Sequence, residues 1–136
     1  MANSPRFYAE EIEDAVDAFC TELNSGFLEI YTGSQPAVDA ALTGTLLATL
    51  TFGATAFGAS SSSGGIVTAI ANAITSGTAG NTGTAGYFAL LKSDGTTVVA
   101  TGSIGTSGCD LNISTTSINS GDNVSCSSFT VTESQS

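Results

Sequence analysis

The side chains that could do acid–base chemistry in this sequence are carboxylates, and most of those beyond the N-terminal segment stand alone. They are Glu29, Asp39, Asp94, Asp110 and Asp122. Two carboxylates placed on opposite sides of a sugar could form a glycosidase pair. Asp110 and Asp122 are alternatively candidates for a weak calcium site, although no calcium-loop spacing surrounds them. Several of the five adjoin glycines, which is typical of turns.

Other catalytic arrangements lack the residues they require. The sequence contains no histidine, so it cannot form a Ser-His-Asp triad, a Cys-His pair or a His-based zinc site. Lys92 precedes Ser93 inside a strand pattern rather than at the start of a helix, so it does not belong to a phosphate-binding loop. Asp94-Gly95-Thr96 is not the Asp-Thr-Gly order of aspartic proteases and indicates a hairpin turn. We therefore expect no enzyme, no cofactor and no metal.

The charge is strongly one-sided, with two basic and twelve acidic residues and a net charge of −10. Nucleic-acid backbones and anionic membrane surfaces attract clustered Lys and Arg, which this chain cannot supply, so we exclude both as direct partners. No stretch approaches the ~20 apolar residues of a membrane span, and no signal peptide is recognisable. We expect a protein that is made and folded in a cytoplasm.

The three cysteines, Cys20, Cys109 and Cys126, match neither a disulfide framework nor a zinc spacing. Free cysteines are usually buried, so small buried thiols are the prediction. A Cys109–Cys126 bridge is the alternative and would need an oxidising compartment.

One strong helix is predicted near the N-terminus. Asn3 or Ser4 can cap it, Pro5 suits its first turn, and Asn24 to Gly26 end it. Apolar residues recur with the spacing of one helical face, at Tyr8, Ile12, Ala15, Val16, Phe19 and Leu23. Acidic residues occupy most other positions. We divide the chain into an acidic amphipathic arm, residues 1–25, and a β domain, residues 26–136.

Strand patterns occupy the rest of the chain. The predicted strands are Phe27–Thr32, Thr45–Phe52, Ile66–Ile74, Thr84–Ser93, Thr97–Ile104, Asp110–Ser114 and Val124–Glu133. A short helix is the alternative for Ile66–Ile74, and Gly33–Gly44 and Ser60–Gly65 are predicted loops. A phase switch at Ser127–Ser128 predicts a bulge or a bend. Short strands with turns every ~8–12 residues favour an antiparallel β-sandwich or a small barrel.

Three stretches carry a resemblance to a known family. They are GFLEIYTGSQPAVDAALTGTLLATLTF, GTAGYFALLKSDGTTVV and GSIGTSGCDLNISTTSINSGDNVSCSSFTVT. Together they resemble small virion proteins of tailed bacteriophages, of the head decoration or cement type. The resemblance implies a jelly-roll-like β-sandwich that clamps neighbouring major capsid proteins. It also implies a homo-oligomer, a dimer or trimer, on the capsid surface of a virion assembled in the host cytoplasm.

With this resemblance, the apolar stripe of the helix becomes a candidate interface with a partner subunit or with the capsid lattice. Its members are Tyr8, Ile12, Val16, Phe19 and Leu23. The alternative is that the helix covers its own sheet, as amphipathic helices usually do.

Two functions of other classes remain open. A tail or baseplate module could bind host glycans through the Ser60–Gly65 and Ser114–Asn123 loops, although the chain has no Trp and only three Tyr for stacking on sugar rings. A connector or tail-completion protein would instead be present in few copies at one vertex.

Overall fold

The computed structural model describes residues 8–126 and 128–134. Within them the chain forms one helix and twelve short strands, which confirms the prediction of a mostly β protein with an N-terminal helix. The helix, α1, covers Ala9–Thr21. The strands in chain order are β1 (Phe27–Thr32), β2 (Leu46–Phe52), β3 (Ser61–Ser63), β4 (Ile66–Ile70), β5 (Ile74–Thr75), β6 (Gly77–Thr78), β7 (Gly83–Leu91), β8 (Val98–Gly105), β9 (Leu111–Asn112), β10 (Ser117–Ile118), β11 (Asn123–Val124) and β12 (Thr130–Ser134).

The main sheet has the strand order β5-β2-β1-β7-β8-β9, with β10 paired to β7 beside this path. β7 lies in the middle, and its last five residues are buried. Every pair is antiparallel except β8 and β9, which are parallel at Ile104 and Leu111. The sheet is therefore mixed, and the prediction of a wholly antiparallel arrangement is wrong at this pair. The Asp110 carboxylate accepts hydrogen bonds from the N–H and the hydroxyl of Ser103, which fixes the loop that turns the chain back beside β8.

A smaller sheet has the order β12-β4-β3. The prediction of a loop over Ser60–Gly65 is wrong, because Ser61–Ser63 forms β3 and pairs with β4. Gly64 and Gly65 make the two-residue turn, with φ of 60° and 83°. A hairpin turn with two positive φ angles favours glycine at both positions. The Gly-Gly pair therefore indicated a hairpin even though serine is a weak strand former.

The predicted strand Ile66–Ile74 is divided between the two sheets. β4 ends at Ile70, and Ile74 begins β5, which pairs with β2 of the main sheet. The helical alternative for this stretch is wrong. Asn72 fixes the crossing, because its backbone N–H donates to Ala56 and its side-chain amide donates to Thr55.

The last predicted strand, Val124–Glu133, is also two strands. β11 pairs with β6, and β12 pairs with β4. The phase switch at Ser127–Ser128 thus lies where the chain passes from one sheet to another, although Ser127 itself lies outside the described residues.

The helix packs on the smaller sheet of its own chain, where it contacts β4, β12 and β3. Val16, Cys20 and Leu23 are buried there. Ser60, just before β3, donates its backbone N–H to the Asp17 carboxylate and its hydroxyl to the Glu13 carbonyl oxygen. The alternative in which the helix covers its own sheet is therefore what the structure has. The predicted caps, Asn3, Ser4 and Pro5, lie outside the described residues.

Four phenylalanines join the two sheets. Phe88 on β7 and Phe129 just before β12 meet edge to face at 5.5 Å between ring centroids. Phe57 lies 6.0 Å from Phe129 and 5.8 Å from Phe52 on β2. Buried aromatic pairs at these separations stabilise a core beyond the area they bury. This cluster connects the face of β2 and β7 to the smaller sheet.

The 33–45 loop, between β1 and β2, is held to the opposite face of the main sheet by Tyr87. The Tyr87 hydroxyl donates to the Thr43 carbonyl oxygen at 2.5 Å and accepts from the Thr43 N–H at 3.0 Å. Its ring is fully buried and stacks on Tyr31 with centroids 5.4 Å apart. One side chain thus satisfies both backbone groups of Thr43.

We expect Tyr87→Phe to lower the free energy of unfolding by about 1–3 kcal/mol, because it leaves both Thr43 groups without their partner. Tyr31→Phe is the matched control, since the Tyr31 hydroxyl bonds only the half-buried Glu29 carboxylate. Denaturant titration measures the difference, and hydrogen exchange at the Thr43 amide locates it. Equal losses in the two variants would show that Tyr87 does not hold the loop.

Candidate binding surfaces

Four of the five carboxylates considered for a glycosidase pair, all except Asp39, accept hydrogen bonds from donors in their own turns and strands. Asp94 accepts hydrogen bonds from the N–H groups of Thr96 and Thr97 and from the Thr97 hydroxyl. The hydroxyl of Thr97, followed by the two backbone N–H groups, lowers the pKa of Asp94 to about 2. This carboxylate therefore stabilises the turn between β7 and β8, which confirms the hairpin predicted at Asp94-Gly95.

The remaining carboxylates are also distributed over separate sites. Asp122 accepts from the Asn119 N–H, and Glu29 accepts from the Tyr31 hydroxyl. Asp110 accepts hydrogen bonds from Ser103, as described above. Asp39 is exposed on the 33–45 loop with φ of 64°. Within residues 8–126 and 128–134, no three acidic, cysteine or histidine side chains come together as a metal site would require.

The cysteines are free thiols. Cys20 and Cys126 are buried, as predicted, whereas Cys109 is half-buried. Burial, with a smaller contribution from the Asp17 carboxylate, raises the pKa of Cys20 to about 11. Burial also raises the pKa of Cys126, whose thiol donates to the Ser128 carbonyl oxygen. The structure contains no Cys109–Cys126 bridge.

We expect Cys109 to react first when the folded protein meets a disulfide reagent at pH 8. A rise in pKa from 9.0 to about 11 leaves Cys20 roughly a hundredfold less thiolate, in addition to its steric protection. Reagent consumption should therefore show one fast thiol in the native protein and three after denaturation. In Cys109→Ser the fast phase should vanish, and its persistence would contradict the burial of the other two.

An open cleft of about 430 Å³ lies between the 33–45 loop and the start of β8. Gln35 spans it, since its side-chain amide donates to the Thr101 hydroxyl at 2.9 Å. Val38, on the loop, is 92% exposed. Asp39 is the one charged side chain that lines the cleft, and the other lining side chains are uncharged. The polar side chains of the cleft are those of Gln35, Asp39 and Thr101.

A second cavity, here called the α1–β12 groove, lies between the helix and the last strand. Its volume is about 250 Å³, and its lining residues are Ala15, Val16, Phe19, Val131 and Glu133. Four of the five are apolar. The groove contains two members of the predicted interface, Val16 and Phe19. Of the other members, Leu23 is fully buried in the core, Ile12 packs against the core, and Tyr8 is 82% exposed.

The smaller sheet also has an outer face, turned away from the helix. Val67 and Ala69 of β4 are buried, so the alternate residues Ile66, Thr68 and Ile70 lie on this outer face. Ile66 is 47% exposed and Ile70 is 60% exposed. Thr130 and Thr132 of β12 lie directly opposite Ile70 and Thr68. The outer face therefore carries Ile and Thr side chains of β4 and β12, with Ser61 and Ser63 of β3 beside them, and no charged side chain.

The sequence pattern alone did not identify most of the residues of the α1–β12 groove and the outer face. The alternation of Thr130-Val131-Thr132-Glu133 could have placed Val131 and Glu133 on one face and the threonines on the other. Ile66 and Ile70 share one parity, whereas Val67 and Ala69 share the other. Only the pairing of β4 between β3 and β12 decides which parity is buried.

Acidic side chains surround the exposed part of the helix. Glu10, Glu11 and Asp14 are exposed, and Glu22 pairs with Lys92 at 3.3 Å. Both partners of this ion pair are about half exposed, so it contributes little to stability. The one lysine of the sequence, Lys92, is therefore engaged in an ion pair within its own chain.

In the part of the chain that the structure describes, no helix combines the length and the apolar character needed to cross a bilayer.

Comparison with protein-family models, with curated protein sequences and with solved structures finds no match for this chain.

Proposed function

We propose that this chain is a non-enzymatic structural protein of a bacteriophage virion, which decorates the capsid and cements it by bridging major capsid protein subunits. The resemblance of residues 26–132 is the origin of this proposal. A jelly-roll-like β-sandwich and a homo-oligomer, dimer or trimer, on the capsid surface belong to the same proposal.

The observation that supports it is the outer face of the smaller sheet. Ile66 and Ile70 leave about half of their surface in water, and their neighbours Thr68, Thr130 and Thr132 carry no charge. Centres of protein interfaces are depleted in charged residues, and apolar side chains that a monomer leaves exposed in a patch often mark an interface. Because the backbone of a paired strand is already ordered, presenting them on a sheet lowers the ordering cost on binding.

The local roles of the carboxylates support a structural protein over an enzyme. Asp94, Asp110 and Asp122 each accept hydrogen bonds from backbone N–H groups nearby. These bonds fix turns, which is a contribution to shape. Shape complementarity repeated over many copies gives a decoration protein its avidity.

The experiment is a copy count on particles purified from cells infected by the virus that encodes this chain. We expect hundreds of copies spread over the shell, located by electron cryomicroscopy and counted by quantitative mass spectrometry. A few copies at one vertex would indicate a connector, and copies on the tail would indicate a recognition module. Either result would overturn the cement function.

A paired variant tests the surface itself. Ile66→Asp with Ile70→Asp should lower occupancy on particles by at least about tenfold, as loss of a hot spot of interface energy does. Ser107→Asp adds the same kind of charge on an exposed turn elsewhere and should leave occupancy unchanged. Unchanged occupancy in the double variant would exclude the outer face as the capsid contact.

A further inference from the structure

The outer edge of β12 carries backbone groups that no described strand uses. β12 is the end strand of the smaller sheet, and its only strand partner there is β4. The Phe129 carbonyl oxygen accepts a hydrogen bond from the Ala71 N–H at 2.8 Å, so the backbone N–H and C=O of Phe129 point toward β4. Backbone groups alternate in direction along an antiparallel strand. Those of Val131 and Glu133 therefore also face β4, and those of Thr130, Thr132 and Ser134 face outward.

This edge lacks three of the devices that usually prevent a strand from pairing further, namely a bulge, a proline and a lysine, and the one charged side chain of the strand is Glu133. Between Thr130 and Ser134 the pairing register with β4 is continuous, without a bulge. The strand contains no proline and no lysine. Edge strands that are not blunted in these ways are templates for another strand.

The α1–β12 groove lies on the helix side of the same edge. Val131 and Glu133 line it from β12, and Ala15 and Phe19 line it from the helix. A strand that pairs with β12 points every second side chain to the helix side, because side chains alternate across a sheet. An edge that no described strand occupies, beside a helix, thus supplies both hydrogen bonds and a pocket for alternate side chains.

We infer that the β12 edge and the α1–β12 groove together bind an extended segment of another protein, which adds as a fourth strand to the smaller sheet. This segment carries an apolar side chain next to Val131 and Phe19 and a basic side chain next to Glu133. Main-chain pairing supplies affinity in this mode of recognition, and the pocket supplies specificity. The inference concerns a different surface from the outer face and does not depend on the cement function.

The acidic side chains at the α1–β12 groove favour a segment of a different protein, rather than a second copy of this chain, as the occupant of the groove. Glu133 lines the groove, and Glu11 lies on the helix one turn before Ala15, on the same stripe. A second copy would bring another net charge of −10 to this acidic site, and it has only two basic residues, of which Lys92 is paired with its own Glu22. A basic segment is attracted where a second copy is repelled.

The test is a selection from a displayed library of random nine-residue peptides against the full chain. We expect enrichment of peptides with apolar residues at alternate positions and a lysine or arginine among them. Thr132→Pro removes one outward N–H and is tolerated because proline is found on edge strands. It should weaken an enriched peptide by about tenfold or more, the effect of losing backbone hydrogen bonds to the ligand. Thr132→Ala keeps the N–H and should bind like the parent.

A second pair of variants tests the pocket without touching the strand. Ala15→Arg places a long side chain at the groove, whereas Ala18→Arg adds the same group at another exposed position of the helix. The first should weaken the peptide by about tenfold or more, and the second should not. This pair decides the question if Thr132→Pro fails to fold.

Four results would overturn the inference. The first is no enrichment over a parallel selection on Thr132→Pro, and the second is equal binding by Ala15→Arg and Ala18→Arg. The third is self-association of the parent chain that Thr132→Pro abolishes, which would make a second copy the occupant. The fourth is an NMR contact between residues 1–7 and Phe19, which would make the chain its own occupant.

Discussion

Gly86→Ala should lower the free energy of unfolding by about 3 kcal/mol or more, the upper range for overpacking a core. Gly86 lies on β7, in the middle of the main sheet, and the backbone of Gly33 crosses directly over it. A Cβ atom at Gly86 would overlap the Gly33 carbonyl oxygen and carbon. Backbone atoms cannot rotate away as a side chain can, so β7 and the start of the 33–45 loop must separate.

Gly80→Ala is the matched control for this substitution, because no atom beyond Gly80 and its two chain neighbours lies within 4 Å of the position its Cβ would take. Thermal and denaturant unfolding of the two variants measure the difference. A loss in Gly86→Ala no larger than that in Gly80→Ala would show that the loop does not approach β7 so closely.

Phe129→Ala should cost roughly 3–5 kcal/mol, the range for truncating a buried phenylalanine. Phe129 is buried and touches both Phe88 of the main sheet and Phe57 near the smaller one. Its removal leaves a cavity at the junction of the two sheets. The smaller sheet and α1 should therefore lose protection from hydrogen exchange before the main sheet does.

Phe129→Leu retains an apolar side chain at the junction and should lose much less stability. Denaturant titration gives the total loss, and hydrogen exchange resolved by residue gives its location. Uniform loss of protection over both sheets would contradict a junction role, because it would mean that the two sheets unfold as one unit.

The longest elements could be predicted from the sequence because local pattern alone determines them. The structure places β1 at the predicted Phe27–Thr32 and begins β2 one residue after the predicted Thr45. The turn at Asp94-Gly95 follows from side-chain hydrogen bonds within five residues. The helix ends at Thr21, three residues before the predicted stop at Asn24, and Ser25 in the turn that follows adopts φ of 58°.

The division of strands between two sheets could not be predicted in the same way. The stretch Ile66–Ile74 has one continuous pattern, yet its two ends pair with β12 and with β2. Pairing partners distant in sequence decide this outcome. The parallel pairing of β8 with β9 likewise depends on a contact across a loop, in which Asp110 accepts hydrogen bonds from Ser103.

The candidate surfaces were only partly predictable, for a related reason. The helical stripe identified Val16 and Phe19 correctly as apolar positions of one face. Which of them remain accessible depends on how far β12 lies from the helix, a distance that helical spacing does not contain. The opposite wall of the groove, Val131 and Glu133, comes from the other end of the chain.

The first helix and the last strand of the described chain belong to the same small layer, and this has a mechanical consequence. Tension applied at residues 8 and 134 reaches α1 and β12 first. Their contacts with β4 must yield before the load passes to the main sheet. Stretching between these two positions should therefore release the smaller layer as a first step and leave the main sheet intact until a later one.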